Sequence, residues 1–244
     1  MQIPRGPPRG RDRPIGVTAI VDLSHVIEDG TITYPGLPAP VIADHLSREM
    51  ARERYAPGYE IQIGRIEMVA NTGTYVDTPF HFRPDGHDLS GIDLARVTDV
   101  PGIVVDATSV GHNGGDARDH EIAADVLDGL DLAGRAVLFH TGWDRHWGTD
   151  HYGRTEHPHL GTATTARLVD AGVALVGIDS VNIDGTHTGE RPVHATLLAA
   201  GIPIVEHLTH LDQVAGRPFT FFAVPPAVRG MGSFPVRALA LVRS

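Results

Sequence analysis

The chain of 244 residues contains no cysteine. That excludes a thiol nucleophile, an iron–sulfur cluster, a disulfide framework and any thiolate zinc site. Lysine is absent too, so all 20 basic residues are arginine. Schiff-base chemistry, pyridoxal phosphate attached in the usual way and the lysine of a phosphate-binding loop are thereby excluded. There is no apolar run long enough to span a bilayer and no signal-peptide pattern, so the sequence predicts a soluble, cytoplasmic protein. A formal net charge of −10 argues against a nucleic-acid partner, because phosphate binding needs a basic face. What the chain has in quantity is histidine, 15 residues, the main pool of neutral-pH acids, bases and metal ligands.

Residues 1–16, rich in Pro, Gly and Arg, predict a disordered lead-in to a single domain over 17–244. The β-branched run from Val17 to Ser24 reads as a strand, and Ile61 to Ala70 as a long one. Further strands are expected at 102–107, 135–140, 173–179, 202–206, 219–224 and 236–242. Helices are expected at 121–130, at 162–171 with Thr164 as N-cap, and at 192–200 with Pro192 in the first turn. Residues 40–60 predict a helix or an excursion over the site, 111–120 a solvated acidic loop, and 141–159 a long covering loop. The alternation implies an α/β fold with a mixed sheet or barrel and flanking helices.

The chemistry is expected at Asn71-Thr-Gly-Thr-Tyr-Val-Asp-Thr-Pro-Phe-His81. Gly73 permits a backbone conformation other residues resist, and Pro79 prevents a helix, so Asp77 and His81 are presented on an extended or looped backbone. Asp77 is then a turn cap or a ligand; His81 braces the loop or carries a proton. His194, beside Leu197 and Leu198 on a predicted helix, is a core histidine or a ligand. Glu206 ends an apolar strand, where a carboxylate requires a metal or an arginine. Trp143, Trp147 and Tyr152 either line the entrance to an aromatic-substrate pocket or pack the covering loop.

Taken in order, Asp22-Leu-Ser-His25, Tyr34-Pro-Gly36, Gly73 to His81, Thr141-Gly-Trp143, Gly177-Ile-Asp179, His194 with Leu197-Leu198, and Val205-Glu206 resemble the cyclase family of metal-dependent hydrolases, which includes kynurenine formamidases and isatin hydrolases. The resemblance covers nearly all of the chain after residue 17. It implies a swivelling β/β/α architecture, a homo-oligomer (dimer or tetramer) and a small-molecule substrate. The family signature is His-x-Gly-Thr-His-x-Asp-x-Pro-x-His, and here Asn71 and Tyr75 replace the first two histidines. Both are poor metal ligands, so one ion position is expected to be lost. The resemblance assigns Asp77, His194 and Glu206 to the remaining position, holding one zinc or manganese ion per chain, with His81 as proton shuttle. His207 and His210 stand where the family usually has asparagines, and either is a candidate to compensate for a lost ligand.

The implied reaction is hydrolysis of a small amide, formamide, cyclic amide or lactone. A second reading is a metal-independent lyase, cyclase or dehydratase using Tyr75, Asn71 and His81 as acid, donor and base. A third is a catalytically silent binding or scaffold protein on the same fold.

Overall fold

A computed structural model describes residues 17–110 and 120–243. The expected lead-in and nearly all of the expected acidic loop lie outside them. At the centre run four parallel strands, β5 (Val100–Asp106), β7 (Ala136–His140), β9 (Leu175–Ile178) and β10 (Ile204–Glu206). β7 and β9 are buried along almost their whole length, as expected of parallel strands covered on both faces. Antiparallel strands extend the sheet on both sides. β11 (Phe219–Phe222), β13 (Leu239–Arg243) and β1 (Val17–Asp22) follow β5; β4 (Tyr75–Asp77) and β12 (Ser233–Pro235) follow β10. The result is an open nine-stranded mixed sheet in an α/β fold, as expected, and open rather than closed into a barrel.

Successive residues of β7 face opposite sides. Val137 and Phe139 pack with Leu168 of α2 (Thr162–Asp170) and with Val193, Leu197 and Leu198 of α3 (Pro192–Ala199). Ala136 and Leu138 pack with Val76, Val205, Phe221 and Ala240 on the other side. α2 and α3 connect β7 to β9 and β9 to β10, the crossovers that parallel pairing demands. Among the described residues no helix is long and apolar enough to cross a membrane.

Several local expectations are revised. The segment 121–130 is not a helix. Glu121–Ile122 forms a short strand, β6, paired with β8 (His159–Leu160), and Ala124–Leu127 a single 3₁₀ turn. Gly129, with φ 75°, stops any longer helix. α2 begins after Gly161 rather than at Thr164, whose hydroxyl donates to Ile122 O at 2.7 Å. The strand at 61–70 is only β3 (Ile63–Glu67), and it stays outside the main sheet. It pairs with β2 (Val41–Leu46), and α1 (Arg48–Arg54) lies between them. Residues 40–60 therefore hold both a strand and a helix.

Leu138 is fully buried on the sheet face that packs with Val76, Val205 and Phe221, whereas Leu94 is 58% exposed. Leu138→Ala is expected to lower the unfolding free energy by about 2–5 kcal/mol and Leu94→Ala by less than about 0.5 kcal/mol, measured by urea titration; equal losses would contradict this core assignment.

Candidate metal centre

The motif is delivered by a turn, not by the preceding strand. Gly73 has φ 64°, its N–H donates to Thr33 Oγ1 at 2.8 Å, and an added Cβ would lie 2.9 Å from Ile27. β4 then carries Tyr75 and Asp77 between β10 and β12. Pro79 does not forbid helical backbone here. It opens a one-turn 3₁₀ segment, Pro79–His81, because proline is tolerated where no N–H is needed. That turn swings His81 back over Asp77. Gly232 makes the approach possible, since a Cβ there would sit 2.4 Å from His81 N.

Three of the expected residues converge. Asp77, His194 and Glu206 are all buried. His194 Nε2 lies 3.7 Å from Asp77 Oδ2 and 3.5 Å from Glu206 Oε1. His81 joins two of them: ligand atoms of Asp77, His81 and His194 all lie within 4.8 Å of one another, a group that does not include Glu206, which approaches His194 Nε2. Two residues without a part in the expected set fix the geometry. Asp184 Oδ2 accepts from His194 Nδ1 at 2.6 Å and from the His194 N–H at 2.9 Å, while Oδ1 accepts from the Val193 N–H at 2.8 Å. One carboxylate thus caps α3 and places the His194 proton on Nδ1, leaving Nε2 aimed at the cluster. Ser233 donates its hydroxyl to Asp77 Oδ1 and lies 3.0 Å from His81 Nδ1. With the hydroxyl proton committed to the carboxylate, Ser233 accepts from His81 Nδ1–H, and His81 Nε2 is left as the base.

Asp77 Oδ2 is buried and has no hydrogen-bond partner. A buried carboxylate oxygen in that state costs several kcal/mol unless a cation meets it. Glu206 Oε1 approaches the same His194 Nε2, so carboxylate and imidazole donors gather here, a set that suits a divalent ion. Glu206 Oε1 also accepts from the Ile183 N–H at 2.7 Å.

Asn71 and Tyr75 make a different kind of contact. The Tyr75 hydroxyl donates to Glu206 Oε2, and Asn71 hydrogen-bonds Tyr75. Burial, with the charges of Glu206 and Asp77, pushes the Tyr75 hydroxyl well above its usual range, so the residue stays a neutral donor. His207 points elsewhere. It takes φ 56° just past the end of β10, and its Nδ1 is 2.7 Å from the Tyr152 hydroxyl. His210 Nδ1 is 3.0 Å from Asp22 O. Neither histidine is in the ligand cluster.

Tyr152 and Trp147 line a cleft of about 720 Å³ with Val26, Ile32 and Pro35, a lining that does not include Trp143. Trp143 and Tyr152 are both buried in a satellite cluster with Val181, and Trp143 Nε1 donates to Tyr152 O at 2.9 Å. The exposed aromatic at the centre is Phe82, a residue without a sequence signal. It is stacked on His194 with ring centroids 5.2 Å apart.

Residues 21–185 match the Cyclase family. The chain belongs to the cyclase family. A kynurenine formamidase of Bacillus cereus is 27% identical over 224 residues, 90% of this chain and 95% of that protein. One from Geobacillus thermodenitrificans is 29% identical over 220 residues, 89% and 95% of the two chains. Among solved structures, a potential metal-dependent hydrolase with cyclase activity superposes with TM-score 0.73 at 26% identity, covering 93% of this chain and 98% of the other. Isatin hydrolase A from Labrenzia aggregata, at 22% identity and TM-score 0.77 over 93% and 94%, shares the fold.

Two shifts in this cyclase centre have the same sign. Burial opposes charge on His194, but Glu206, Asp184 and Asp77 together hold its pKa up at about 10. Burial and Asp77 push Glu206 up to about 7 despite His194. Raised pKa values give stability that is present below the unfolded values, 6.5 for His194 and 4.5 for Glu206, and lost as pH rises through the folded ones. Burial lowers His25 to about 4 and His157 to about 3, which acts oppositely but only below their unfolded value of 6.5. The metal-free protein is therefore expected to melt at progressively lower temperature from pH 6.5 to 10, with a flatter profile in His194→Gln. A profile unchanged by that substitution would contradict the assignment.

Proposed function

We propose that the chain hydrolyses a small amide, with an aryl formamide or cyclic amide as the best fit, at a single-ion centre. It is a hydrolase of carbon–nitrogen bonds other than peptide bonds, the class to which its kynurenine formamidase relatives belong. The observation that carries the single-ion reading is the buried, unpaired Asp77 Oδ2 facing His194 Nε2, the same nitrogen that Glu206 Oε1 approaches. Asp77, His194 and Glu206 would hold zinc or manganese. Such an ion, when bound, acidifies water and polarises a carbonyl.

The chain's own groups supply the rest. Asp184 keeps His194 Nε2 directed at the centre, and Ser233 keeps His81 in the tautomer whose Nε2 accepts a proton. His81 is exposed, so it can take a proton from the attacking water and return it to the departing nitrogen as the C–N bond breaks. Phe82, flat against His194, offers an aromatic face to an aryl substrate. Tyr75 and Asn71 occupy the place of the family's other two ligands, and Tyr75 holds Glu206 by a hydrogen bond rather than through a second ion.

A second reading is favoured by that Tyr75–Glu206 bond, a donor and a carboxylate already paired without an ion. In it Tyr75 and His81 act as acid and base of a metal-independent elimination or cyclisation.

The test is turnover of an N-formyl arylamine by untagged enzyme before and after chelation. Activity should vanish on chelation and return with zinc or manganese. His81→Ala should lower kcat by about 10²- to 10⁴-fold while metal content is kept. Turnover that survives chelation and is abolished by Tyr75→Phe would establish the second reading instead. Ligand binding without turnover on any formamide, lactone or cyclic imide would leave a binding protein.

A further inference from the structure

The cleft lined by Trp147 and Tyr152 is built from two loops. Residues 26–35 supply Val26, Ile32 and Pro35, and residues 147–153 supply the two aromatics and Asp150. Gly153 brings the loops together: a Cβ there would lie 2.2 Å from Pro35 Cγ, a spacing that only glycine allows. Each loop is also tied down. Thr33 Oγ1 accepts from the Gly73 N–H at 2.8 Å, and the Tyr152 N–H donates to Thr149 O at 3.1 Å. The cleft is thus pre-formed, and its volume of about 720 Å³ falls in the range of small-molecule sites, roughly 300–1,000 Å³.

Its lining combines apolar surface with charge of one sign. Val26 is 71% and Ile32 58% exposed. His25 stacks on one face of the Trp147 indole, with ring centroids 3.9 Å apart and planes at 5°. His25 does not line this cleft, so the cleft meets the indole away from that stack. The Tyr152 hydroxyl is engaged by His207 Nδ1 at 2.7 Å. The charged side chains of the lining are Glu28 and Asp150, both exposed and both acidic. Among the described residues neither carboxylate has a hydrogen-bonding or ionic partner, and no arginine or histidine lines the cleft.

We propose that this cleft binds a small organic ammonium ion with an aryl or alkyl body. The two unpaired carboxylates select positive charge, and an indole attracts a cation placed over its face. An anionic ligand would meet the same carboxylates with no countercharge in the lining. A bare metal ion is a poorer match. Glu28 and Asp150 belong to no ligand cluster among the described residues, and a hydrated ion gains nothing from an apolar wall. An ammonium ion with an apolar body uses both parts of the lining: its hydrocarbon is buried against Val26, Ile32 and Pro35 while its N–H groups donate to the carboxylates. The cleft is separate from the metal centre, since Asp77, His81, His194 and Glu206 are all absent from its lining. Binding there does not depend on the reaction proposed above.

Isothermal titration of the full chain with phenethylammonium chloride is the test, with 3-phenylpropionate as a probe of similar size and opposite charge. The ammonium ion should bind at one site per chain and about tenfold or more tightly than the carboxylate. Its affinity should fall as sodium chloride is raised from about 0.05 to about 0.5 M, because exposed charges are screened. Glu28→Gln with Asp150→Asn should weaken binding by roughly five- to tenfold, the worth of two exposed charge pairs. Ile32→Arg, which sets a guanidinium in the cleft, should abolish measurable binding. These positions are all exposed, and far-UV circular dichroism checks that each variant is folded. Absence of binding, equal affinity for the two probes, or insensitivity to salt would overturn the proposal. So would an affinity unchanged in either folded variant, which would place the ammonium ion elsewhere, as at the acidic metal centre.

Discussion

The constraint on which the site depends is the burial of more negative charge than the protein itself neutralises. Asp77, Asp184 and Glu206 all surround one imidazole, His194, and one oxygen of Asp77 is left without a donor. Each of the other carboxylate oxygens has a defined partner: Ser233, Tyr75, Ile183 N–H, Val193 N–H, or His194. The remaining deficit is local and directional. It lies where His81, His194 and Asp77 come within 4.8 Å of one another, which makes it a place for a cation rather than a packing defect.

The fold serves this constraint by bringing three chain segments to one edge of the parallel core. β10 ends on Glu206, α3, the helix that leads into β10, presents His194, and β4 inserts antiparallel beside β10 with Asp77. The short strand β12 closes over them and carries Ser233 to both Asp77 and His81. Tyr75, on the same short strand as Asp77, satisfies Glu206 by donating its neutral hydroxyl to it.

The strongly periodic or apolar elements were legible in the sequence: β7, β9, β10, α2 and α3 lie close to where their patterns put them. Asp77 and His81 were legible because the turn, carboxylate and imidazole are local in the chain, and His194 and Glu206 through family resemblance. Ser233 was not, since its partners lie 156 and 152 residues away and its strand has three residues, one a proline. Asp184 gave no signal because it caps α3 from outside the helix, eight residues before Pro192, while the residue at the cap position is Arg191. The false helix at 121–130 came from Ile122, Val126, Leu127 and Leu130, which recur at helical spacing although Ile122 is buried by a strand pairing and Gly129 reverses the backbone. Trp143 fills the satellite cluster while Tyr152 also lines a cleft, a division that aromatic content alone does not signal.

The most direct test is the number of divalent ions retained after equilibrium dialysis of untagged protein, counted by mass spectrometry. One zinc or manganese ion per chain is predicted, lost in Asp77→Asn and in His194→Gln but kept in Tyr75→Phe. No retained ion, or two per chain, would contradict a single-ion centre built on Asp77, His194 and Glu206.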